Sequence, residues 1–469
     1  MNDGRVGSAK GGFAWETESL LTLMETITYG VRIGKVDPMP RHRTQYEKGT
    51  VTRTFLPFRW FQSRCMNILR RAALPLIVAA CSAAAPAWAQ TIPPEQQQGI
   101  DRDIARHFGD APANPGPKAK LSGSTKPADV RAAMRKVADW ELSWSQPYFD
   151  RIWTWSALYA GFMAASPALN DPKYRDAMQG MGEKFHWELR SEIPNADDQS
   201  VAQTYLELDL LSQSPEKAAP TRAALDRLLG GAAAPIPAVQ AKIPWWWCDA
   251  LFMAPPVWTR MYAVTHDAKY LEYMNQHWWE TSDLLYDKER HLYYRDVTYL
   301  QKTDQKGNPV FWSRGNGWVM GGIARTLDYL PQDYKDRGRY EQQLREMAAA
   351  VAAIQDKQSG LWHSDLLDVE DYPQPEVSGS ALITFGLAWG VNHGVLDRAT
   401  YLPVIAKAWR GLVGEVYADG RLGNIQQTGA APAYYLPSSS YNYGVGGFLL
   451  AGAQVEQLSQ HGHGKKAGR

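Results

Sequence analysis

Apolar residues recur every three or four positions along most of the chain beyond residue 127, which is the spacing of helices with one buried face. Alternation typical of a half-buried strand is almost missing, and residues 293–299 are the one candidate for a hairpin edge. The pattern predicts about twelve helices, near residues 128–144, 151–165, 172–190, 201–213, 217–230, 250–265, 268–285, 316–330, 334–355, 378–394, 399–417 and 442–459.

A weak internal repeat indicates that these helices are arranged in pairs. Asn170-Asp171-Pro172-Lys173-Tyr174 resembles His266-Asp267-Ala268-Lys269-Tyr270, and each Asp stands where it can cap the next helix. Antiparallel helix pairs repeated along a chain stack into solenoids or close into toroids. We therefore expect an all-α fold in which six helix hairpins form an (α/α)6 barrel, although periodicity alone does not prove closure.

The N-terminal region carries a different signal. A basic start at Met66, a short apolar run at 72–80 and the sequence Ala87-Trp88-Ala89 are typical of a secretory signal peptide cut after Ala89. The run is too short to span a bilayer. Because such signals open a protein, we interpret residues 1–65 as a non-native extension. A lipoprotein anchored at Cys81 is the alternative. The protein is thus expected in the periplasm or outside the cell.

The rest of the chain divides simply. Residues 90–126 are rich in Pro, Ala, Gly and Lys, which predicts an arm or linker. We expect residues 127–460 to form the catalytic domain and residues 461–469 to form a disordered tail. Of the three Cys, only Cys248 follows the predicted cleavage site, so we expect no internal disulfide. A buried structural thiol is the favoured interpretation of Cys248.

Charge and composition limit the classes of molecule that the protein is expected to bind. The net charge of +1 gives no indication of a nucleic acid or an anionic membrane as partner, and we expect no membrane span. The 19 Trp and 23 Tyr are unusual, and their flat apolar faces with polar edges suit packing against sugar rings. They also suit a large aromatic core, but their clustering beside polar motifs favours a carbohydrate cleft.

Asp249 is the first candidate for chemistry. It follows Trp245-Trp246-Trp247-Cys248 and precedes an apolar run. A carboxyl among indole rings loses solvation of its charged form, so its pKa should rise, as a general acid near neutral pH requires. The alternative is an Asp that only caps the following helix.

A second carboxyl is predicted in the loop Asn195-Ala196-Asp197-Asp198-Gln199, where Asp198 is expected to face Asp249 across the mouth of the barrel. Capping and favourable interaction with the helix dipole would explain such an Asp pair equally well.

Two further loops combine aromatic and polar residues. Phe311-Trp312-Ser313-Arg314-Gly315-Asn316-Gly317-Trp318 sets an Arg between Trp residues directly before a predicted helix, and a guanidinium matches a carboxylate in shape and charge. This favours an acidic-sugar site over a structural turn. Gly360-Leu361-Trp362-His363 is similar, although a lone His such as His363 is more often structural.

Taken together, the motifs resemble those of the unsaturated glucuronyl and rhamnogalacturonyl hydrolases, glycoside hydrolase family 105, which is related to family 88. The resemblance covers roughly residues 128–458. It is carried by five pieces in the same order, at 247–254, 312–318, 360–362, 378–381 and 443–446.

The resemblance implies an (α/α)6 barrel with no metal or cofactor. We expect a monomer or weak homodimer. It implies that Asp249 is the catalytic acid and base and Asp198 a second active-site carboxyl. The implied substrate contacts are Trp312, Arg314 and Trp318. Further candidate contacts are Trp247, Arg295, Asn316, Trp362 and His363. Either Arg314 or Arg295 is expected to bind the uronate carboxylate, and the sequence does not decide between them. The chain departs from the family where Gln199 and Arg295 stand at positions that commonly carry His, which affects the expected substrate more than the expected reaction.

The implied reaction is hydration of the C4=C5 double bond of a terminal 4,5-unsaturated uronic acid, left on an oligosaccharide by a polysaccharide lyase. Two alternatives remain open on the sequence. One is an inverting glycosidase that uses Asp198 and Asp249 on saturated sugars. The other is a glycan-binding protein without catalysis, against which a buried carboxylate argues because of its cost in stability.

Overall fold

The computed structural model describes residues 109–459, which lie within one compact unit of the chain. Helices dominate this range: α1 (Pro127–Ser145), α2 (Trp153–Leu169), α3 (Lys173–Lys184), α4 (Ala196–Gln199), α5 (Ala202–Ser212), α6 (Ala219–Leu229), α7 (Ala250–Met253), α8 (Pro255–Thr265), α9 (Lys269–Leu285), α10 (Ser313–Leu327), α11 (Arg337–Ala353), α12 (Val377–Asn392), α13 (Arg398–Gly414) and α14 (Asn442–Gln457). The strands are two residues long: β1 (Gly109–Asp110), β2 (Tyr286–Asp287), β3 (Leu292–Tyr293) and β4 (Ser440–Tyr441).

The helices close into a ring. In the described range, α2 packs on α5, α5 on α8, α8 on α10, α10 on α12 and α12 on α14, and α14 returns to α2. The outer helices cover this ring: α1 lies against α14 and α2, α3 against α2, α9 against α8, α11 against α10 and α12, and α13 against α12 and α14. The prediction of an all-α (α/α)6 barrel is confirmed.

The inner helices pack so closely because they are buried on all sides and rich in small residues. Every residue of α10 is buried, including the polar Arg314, Asn316 and Arg325, whose side chains all form hydrogen bonds. Gly161 of α2 faces Gly446 of α14, and a Cβ on Gly446 would lie 2.1 Å from the carbonyl oxygen of Ala157. A side chain at this crossing would push the two helices apart.

Two predicted helices are shorter than expected, for local reasons. The helix predicted over 250–265 is broken into α7 and α8 because Pro255 and Pro256 have no N–H to continue the hydrogen-bond ladder. The helix predicted over 172–190 ends at Lys184. His186 and Trp187 then take positive φ, and the Trp187 ring folds back over Gly182, where a Cβ would meet it at 2.0 Å.

The Arg–Gly motif lies inside a helix, not in a loop before it. Helix α10 begins at Ser313, so Arg314, Gly315 and Gly317 belong to its first turns. A Cβ on Gly317 would lie 2.9 Å from the carbonyl oxygen of Gly379 in α12. Glycine here lets two inner helices approach each other.

The predicted hairpin edge is partly correct. Strand β3 pairs with β2, but residues 297–299 form a 3-10 turn. Trp247 makes an antiparallel bridge with Asp296, and the Cys248 N–H donates to the Arg295 carbonyl at 2.9 Å. This contact attaches the loop carrying Arg295 to the segment carrying Asp249.

Part of the predicted arm is joined to the barrel. Strand β1 pairs with β4, and the Ala119 N–H donates to the Val416 carbonyl at 2.7 Å. The predicted extension over 1–65, the signal peptide over 66–89, the arm up to residue 108 and the tail over 461–469 lie outside the described residues. Among residues 109–459, no helix has both the length and the apolar composition needed to cross a membrane.

Candidate active site

The polar motifs meet at one end of the barrel. Each inner helix is followed by an outer helix that runs back, so the inner helices are parallel and begin at the same end. Asp197 and Asp249 precede α5 and α8, Ser313 begins α10, and Glu376 and Asn442 stand at the starts of α12 and α14. The ring therefore gathers side chains that are far apart in sequence.

Asp249 lies almost buried at this end, with 8% of its surface exposed. The Cys248 thiol donates to its Oδ2 at 3.5 Å, and the Nε of Arg295 is 3.6 Å from the same oxygen. Burial raises the pKa of Asp249, while the positive charges of Arg295 and Arg314 oppose that rise. The carboxyl is thus in contact with one cation and is not isolated among indoles.

The three consecutive Trp residues have different surroundings. Trp245 is enclosed, with its ring edge against Tyr273 and His277. The rings of Trp246 and Trp247 contact each other with centroids 4.4 Å apart. Trp247 is buried and its backbone is bridged to the loop of Asp296, so the Trp pair forms a rigid wall beside the carboxyl.

Arg295 is held from three directions. Its Nη1 donates to Asp296 Oδ2 at 2.6 Å, its Nε faces Asp249, and its guanidinium lies 5.4 Å from the centre of the Trp246 ring. Asp296 is fixed in turn, because its Oδ1 accepts from the N–H and hydroxyl of Thr298. This network holds a permanent cation next to the candidate acid.

The charge of Asp249 acts on Asp197 rather than on Asp198, the residue that the sequence indicated. The pKa of Asp197 is raised to about 7, mainly by burial and then by the charge of Asp249. Asp198 interacts instead with Arg190 and Arg151. The two neighbours diverge because they lie in the turn α4, where successive side chains point about 100° apart.

A cavity of about 240 Å³ opens beside these groups. Asp197 and Arg295 line it, and Trp246, Trp247 and the residues 232–237 contribute apolar surface. Among the described residues that line it, Arg295 is the only cation. The cavity suits a ligand with an anionic group at one end and apolar faces elsewhere.

Arg314 is fully buried, and its terminal nitrogens are occupied. Nη1 donates to the Gln426 carbonyl and Nη2 to the Gln427 carbonyl, both at 2.8 Å, and the guanidinium stacks on Trp312 at 4.3 Å. It is also 4.9 Å from the ring centre of Tyr443. Arg314 thus acts on Asp249 through its charge, while its side chain fixes the loop at 426–427.

The other residues of the α10 motif are also buried. Asn316 exchanges hydrogen bonds with the backbone of Tyr293, and the Trp312 indole donates to Gln426 Oε1 at 3.0 Å. Trp318 packs against Phe252, with ring centroids 4.6 Å apart. These contacts hold the inner end of the site in place.

Trp362 and His363 lie outside the group of residues around Asp249. The Trp362 indole is buried and donates to the Val351 carbonyl at 2.8 Å. His363 contacts the Tyr372 carbonyl through Nδ1, and its Nε2 has no partner in the described range. Neither lines the cavity beside Asp197. The structure therefore brings together Asp249, Trp247 and Arg295 among the predicted residues, with Trp312 and Arg314 in support.

Sequence reasoning missed several residues of the site. The sequence shows Asp197 as one of two adjacent Asp residues, but the direction of its side chain depends on the residue at which the helical turn begins. The cavity wall at 232–237 is a plain Ala–Pro stretch with no chemical signal. Gln426 joins Trp312, Ser364 and Arg314 by hydrogen bonds, and nothing in the sequence distinguishes it. Among the described residues, no group of three or more His, Cys, Asp or Glu is placed to hold a metal ion.

Comparison with known proteins gives a consistent result. A family model described as Glycosyl Hydrolase Family 88 matches residues 122–459. The chain is 38% identical over 349 residues to an unsaturated 3S-rhamnoglycuronyl hydrolase of Formosa agariphila, covering 71% of this chain and 92% of that protein. It is 32% identical over 409 residues to a protein of the same name from Alteromonas sp. strain LOR, covering 81% and 95%. A solved structure of a glycosyl hydrolase family 88 protein from Bacteroides vulgatus superposes with a TM-score of 0.65 at 30% identity, covering 71% of this chain and 99% of that one.

Proposed function

The chain belongs to glycosyl hydrolase family 88, and we propose that it removes a terminal 4,5-unsaturated uronic acid from oligosaccharides by hydrating the C4=C5 double bond. It is accordingly a glycoside hydrolase. The observation that carries the reaction is the pair of interacting carboxyls, Asp197 and Asp249, with the cation Arg295 between a Trp wall and a cavity.

The chemistry follows from the vinyl ether in the substrate, in which C4=C5 is conjugated to the ring oxygen. A proton added to C4 places positive charge on C5, where the ring oxygen shares it. Water then adds to C5, the resulting hemiketal opens, and the aglycone leaves from C1 in the rearrangement. One carboxyl can donate the first proton and then accept a proton from water. We propose Asp249 for this double role, with Asp197 as the neighbouring carboxyl.

Arg295 is the residue we propose for the uronate carboxylate. It lines the cavity, whereas both terminal nitrogens of Arg314 are bound to carbonyls. A guanidinium whose Nη1 is fixed by Asp296 is preorganised and loses little freedom on binding an anion. We expect Arg295→Met to raise KM for the unsaturated disaccharide by more than tenfold, and Arg295→Lys to raise it less.

We propose a rhamnose sulfated at O3 as the sugar next to the uronic acid. The support is the name shared by the two relatives at 38% and 32% identity. The apolar wall at 232–237 is also compatible with the methyl group of a 6-deoxy sugar. Parallel assays on the sulfated and desulfated disaccharides test this: a higher kcat/KM for the sulfated form is expected, and equal values would contradict it.

The reaction class is tested by comparing a lyase-generated unsaturated disaccharide with its saturated counterpart. Hydration predicts turnover of the unsaturated compound alone, with loss of its ultraviolet absorbance. Cleavage of the saturated compound at a similar rate would favour an inverting glycosidase. Binding of the unsaturated compound without spectral change would favour a glycan-binding protein.

We also propose that the protein is exported. The support is the basic, apolar and Ala87-Trp88-Ala89 pattern of residues 66–89. Cell fractionation with N-terminal sequencing should find a chain that begins at Gln90 outside the cytoplasm. Peptides from residues 1–65 in the mature protein would contradict the export proposal.

A further inference from the structure

A second cavity, of about 480 Å³, lies on the outer wall of the barrel between the outer helices α9 and α11. The end of α9, the hairpin β2–β3 and the first half of α11 line it. It shares no lining residue with the cavity beside Asp197. Any ligand of this cavity would therefore bind at a place separate from the candidate active site.

Arg339 presents free hydrogen-bond donors to this cavity. Its guanidinium is exposed and lies over the Trp279 ring, 3.8 Å from the ring centre. Within residues 109–459 its side chain makes no hydrogen bond and no ion pair. Stacking on the indole uses the flat face of the guanidinium and leaves the N–H donors in its plane free. A planar fork of this kind matches a sulfate or a carboxylate.

Two further charged side chains in the cavity are also unoccupied. Lys288, in the turn of the hairpin, and Asp283, at the end of α9, are exposed and line the cavity. In the described range neither side chain has a hydrogen bond or an ion pair. A ligand could contact both without breaking any contact within the protein.

The remaining carboxylate, Glu346, is already satisfied by its neighbours. It accepts from the Tyr286 hydroxyl at 2.8 Å and from the Gln342 amide at 3.0 Å, and the His291 Nδ1 is 3.6 Å away. The charges free to meet a ligand are therefore two cations and one carboxylate. Such a set suits a ligand that carries both an oxyanion and hydroxyl groups, because a carboxylate accepts hydrogen bonds from hydroxyls.

The floor of the cavity is rigid. The Tyr293 hydroxyl is hydrogen-bonded to the buried Ser282 hydroxyl at 2.7 Å and accepts from the buried Gln343 amide at 2.8 Å. The Trp278 indole donates to the other end of Gln343 at 3.0 Å. These bonds keep the two outer helices apart at a fixed distance, so the cavity does not have to form when a ligand arrives.

We propose that the cavity between α9 and α11 is a second saccharide site, which binds an acidic sugar with its sulfate or carboxylate at Arg339 and Lys288 and a hydroxyl at Asp283. The site holds the oligosaccharide on the outer wall of the barrel and takes no part in the chemistry. The inference goes beyond the proposed reaction and does not depend on it.

Isothermal titration calorimetry with a saturated oligosaccharide that carries sulfate and uronate groups tests the site in the full chain. We expect the wild type and Arg295→Met to bind it alike, because Arg295 belongs to the other cavity. Arg339→Gln should weaken binding by about tenfold or more, the usual effect of losing a charged hydrogen bond, and adding Lys288→Gln should weaken it further. Lys357→Gln is the matched control and should have no effect, because Lys357 is exposed and lies outside the cavity.

Three further ligands identify the group that is recognised. Loss of binding after desulfation would assign the sulfate to Arg339 and Lys288, and loss after reduction of the uronate would assign the carboxylate. Inorganic sulfate alone should bind more weakly than the oligosaccharide. Asp283→Asn should weaken binding of the oligosaccharide but not of inorganic sulfate, because only the sugar has hydroxyls to donate.

Several results would overturn the proposal. They are no binding to the wild type, loss of binding in Arg295→Met, wild-type affinity in the Arg339→Gln/Lys288→Gln double variant, and equal affinity for a neutral oligosaccharide. Thermal unfolding should show that the double variant is folded, because both side chains are exposed. Its kcat on a short unsaturated disaccharide should equal that of the wild type, which separates this site from the one proposed for the reaction.

Discussion

At the scale of single residues, Glu141 is an ionisable group buried without any hydrogen-bond partner in the described chain. It lies fully buried in α1, and neither carboxyl oxygen has a hydrogen-bond partner in the described range. Burial alone raises its pKa from 4.5 to about 8. The folded protein therefore keeps a proton on Glu141 at neutral pH, where the unfolded chain would lose it.

This difference in proton binding makes the stability depend on pH. Below pH 4.5 both states hold the proton; between 4.5 and 8 only the folded state does, so the free energy of unfolding falls as pH rises. The contribution is about 1.4 kcal/mol per pH unit. We predict that Glu141→Gln flattens this part of the profile, measured by urea unfolding at a series of pH values. Identical slopes in the two proteins would contradict the prediction.

A second prediction at this scale concerns Gly315. A Cβ there would lie 3.0 Å from the Cys248 Sγ, which is fully buried and contacts Asp249. Gly315→Ala should therefore displace the thiol and lower kcat. The loss should be smaller in a Cys248→Ala background, which makes room, with a coupling energy of about 1 kcal/mol. Additive effects of the two substitutions would show that this contact does not transmit the change.

Comparison of the site with the sequence shows which of its residues could be predicted and which could not. Asp249 was predicted because its neighbours are unusual, and Arg295 because of the family resemblance. The structure places their side chains 3.6 Å apart. The resemblance named Asp198, whereas Asp197 is the neighbour that lines the cavity; Asp198 interacts with Arg190 and Arg151 instead. Residue type and spacing alone do not predict which of two adjacent side chains will point towards the cavity.

At the scale of elements, the repeated turns were predictable because their chemistry is local. In both copies, the Asp side chain accepts from the N–H of the following Lys at 3.2 Å. In both, the residue before the Asp, Asn170 or His266, takes positive φ and ends the inner helix. Each Tyr hydroxyl bonds an Asp on a neighbouring outer helix, Asp139 or Asp226. The same few residues thus build the same turn at two places in the ring.

The crossing of α2 and α14 gives a prediction with a matched control. Gly446→Ala would bring a Cβ within 2.1 Å of the Ala157 carbonyl oxygen, and should destabilise the protein by about 3 kcal/mol or more. Gly180 lies exposed in α3, and a Cβ added there would meet nothing within 4 Å, so Gly180→Ala should be neutral or stabilise by up to about 1 kcal/mol. Equal effects of the two substitutions on thermal unfolding would refute the close-packing explanation.

At the scale of the whole molecule, the closed ring is what creates the site. Its first helix, α2, packs on its last, α14, so residues almost three hundred positions apart, such as Gly161 and Gly446, are in contact. Periodicity predicted the helices but not this contact, because each helix has the same pattern whether the array is open or closed. Closure gathers the inner helix starts at one end, which places Asp197, Asp249 and Arg295 together.

The most direct test of the account follows the ultraviolet absorbance of a lyase-generated unsaturated uronyl disaccharide with wild-type protein and with Asp249→Asn, which has nearly the same shape but no ionisable group. We predict steady loss of the C=C–carboxylate absorbance with the wild type, and a rate at least a hundredfold lower, on the order of the usual contribution of a positioned proton transfer, with the variant. Stable absorbance with the folded wild type, or the wild-type rate in the variant, would contradict the central claim.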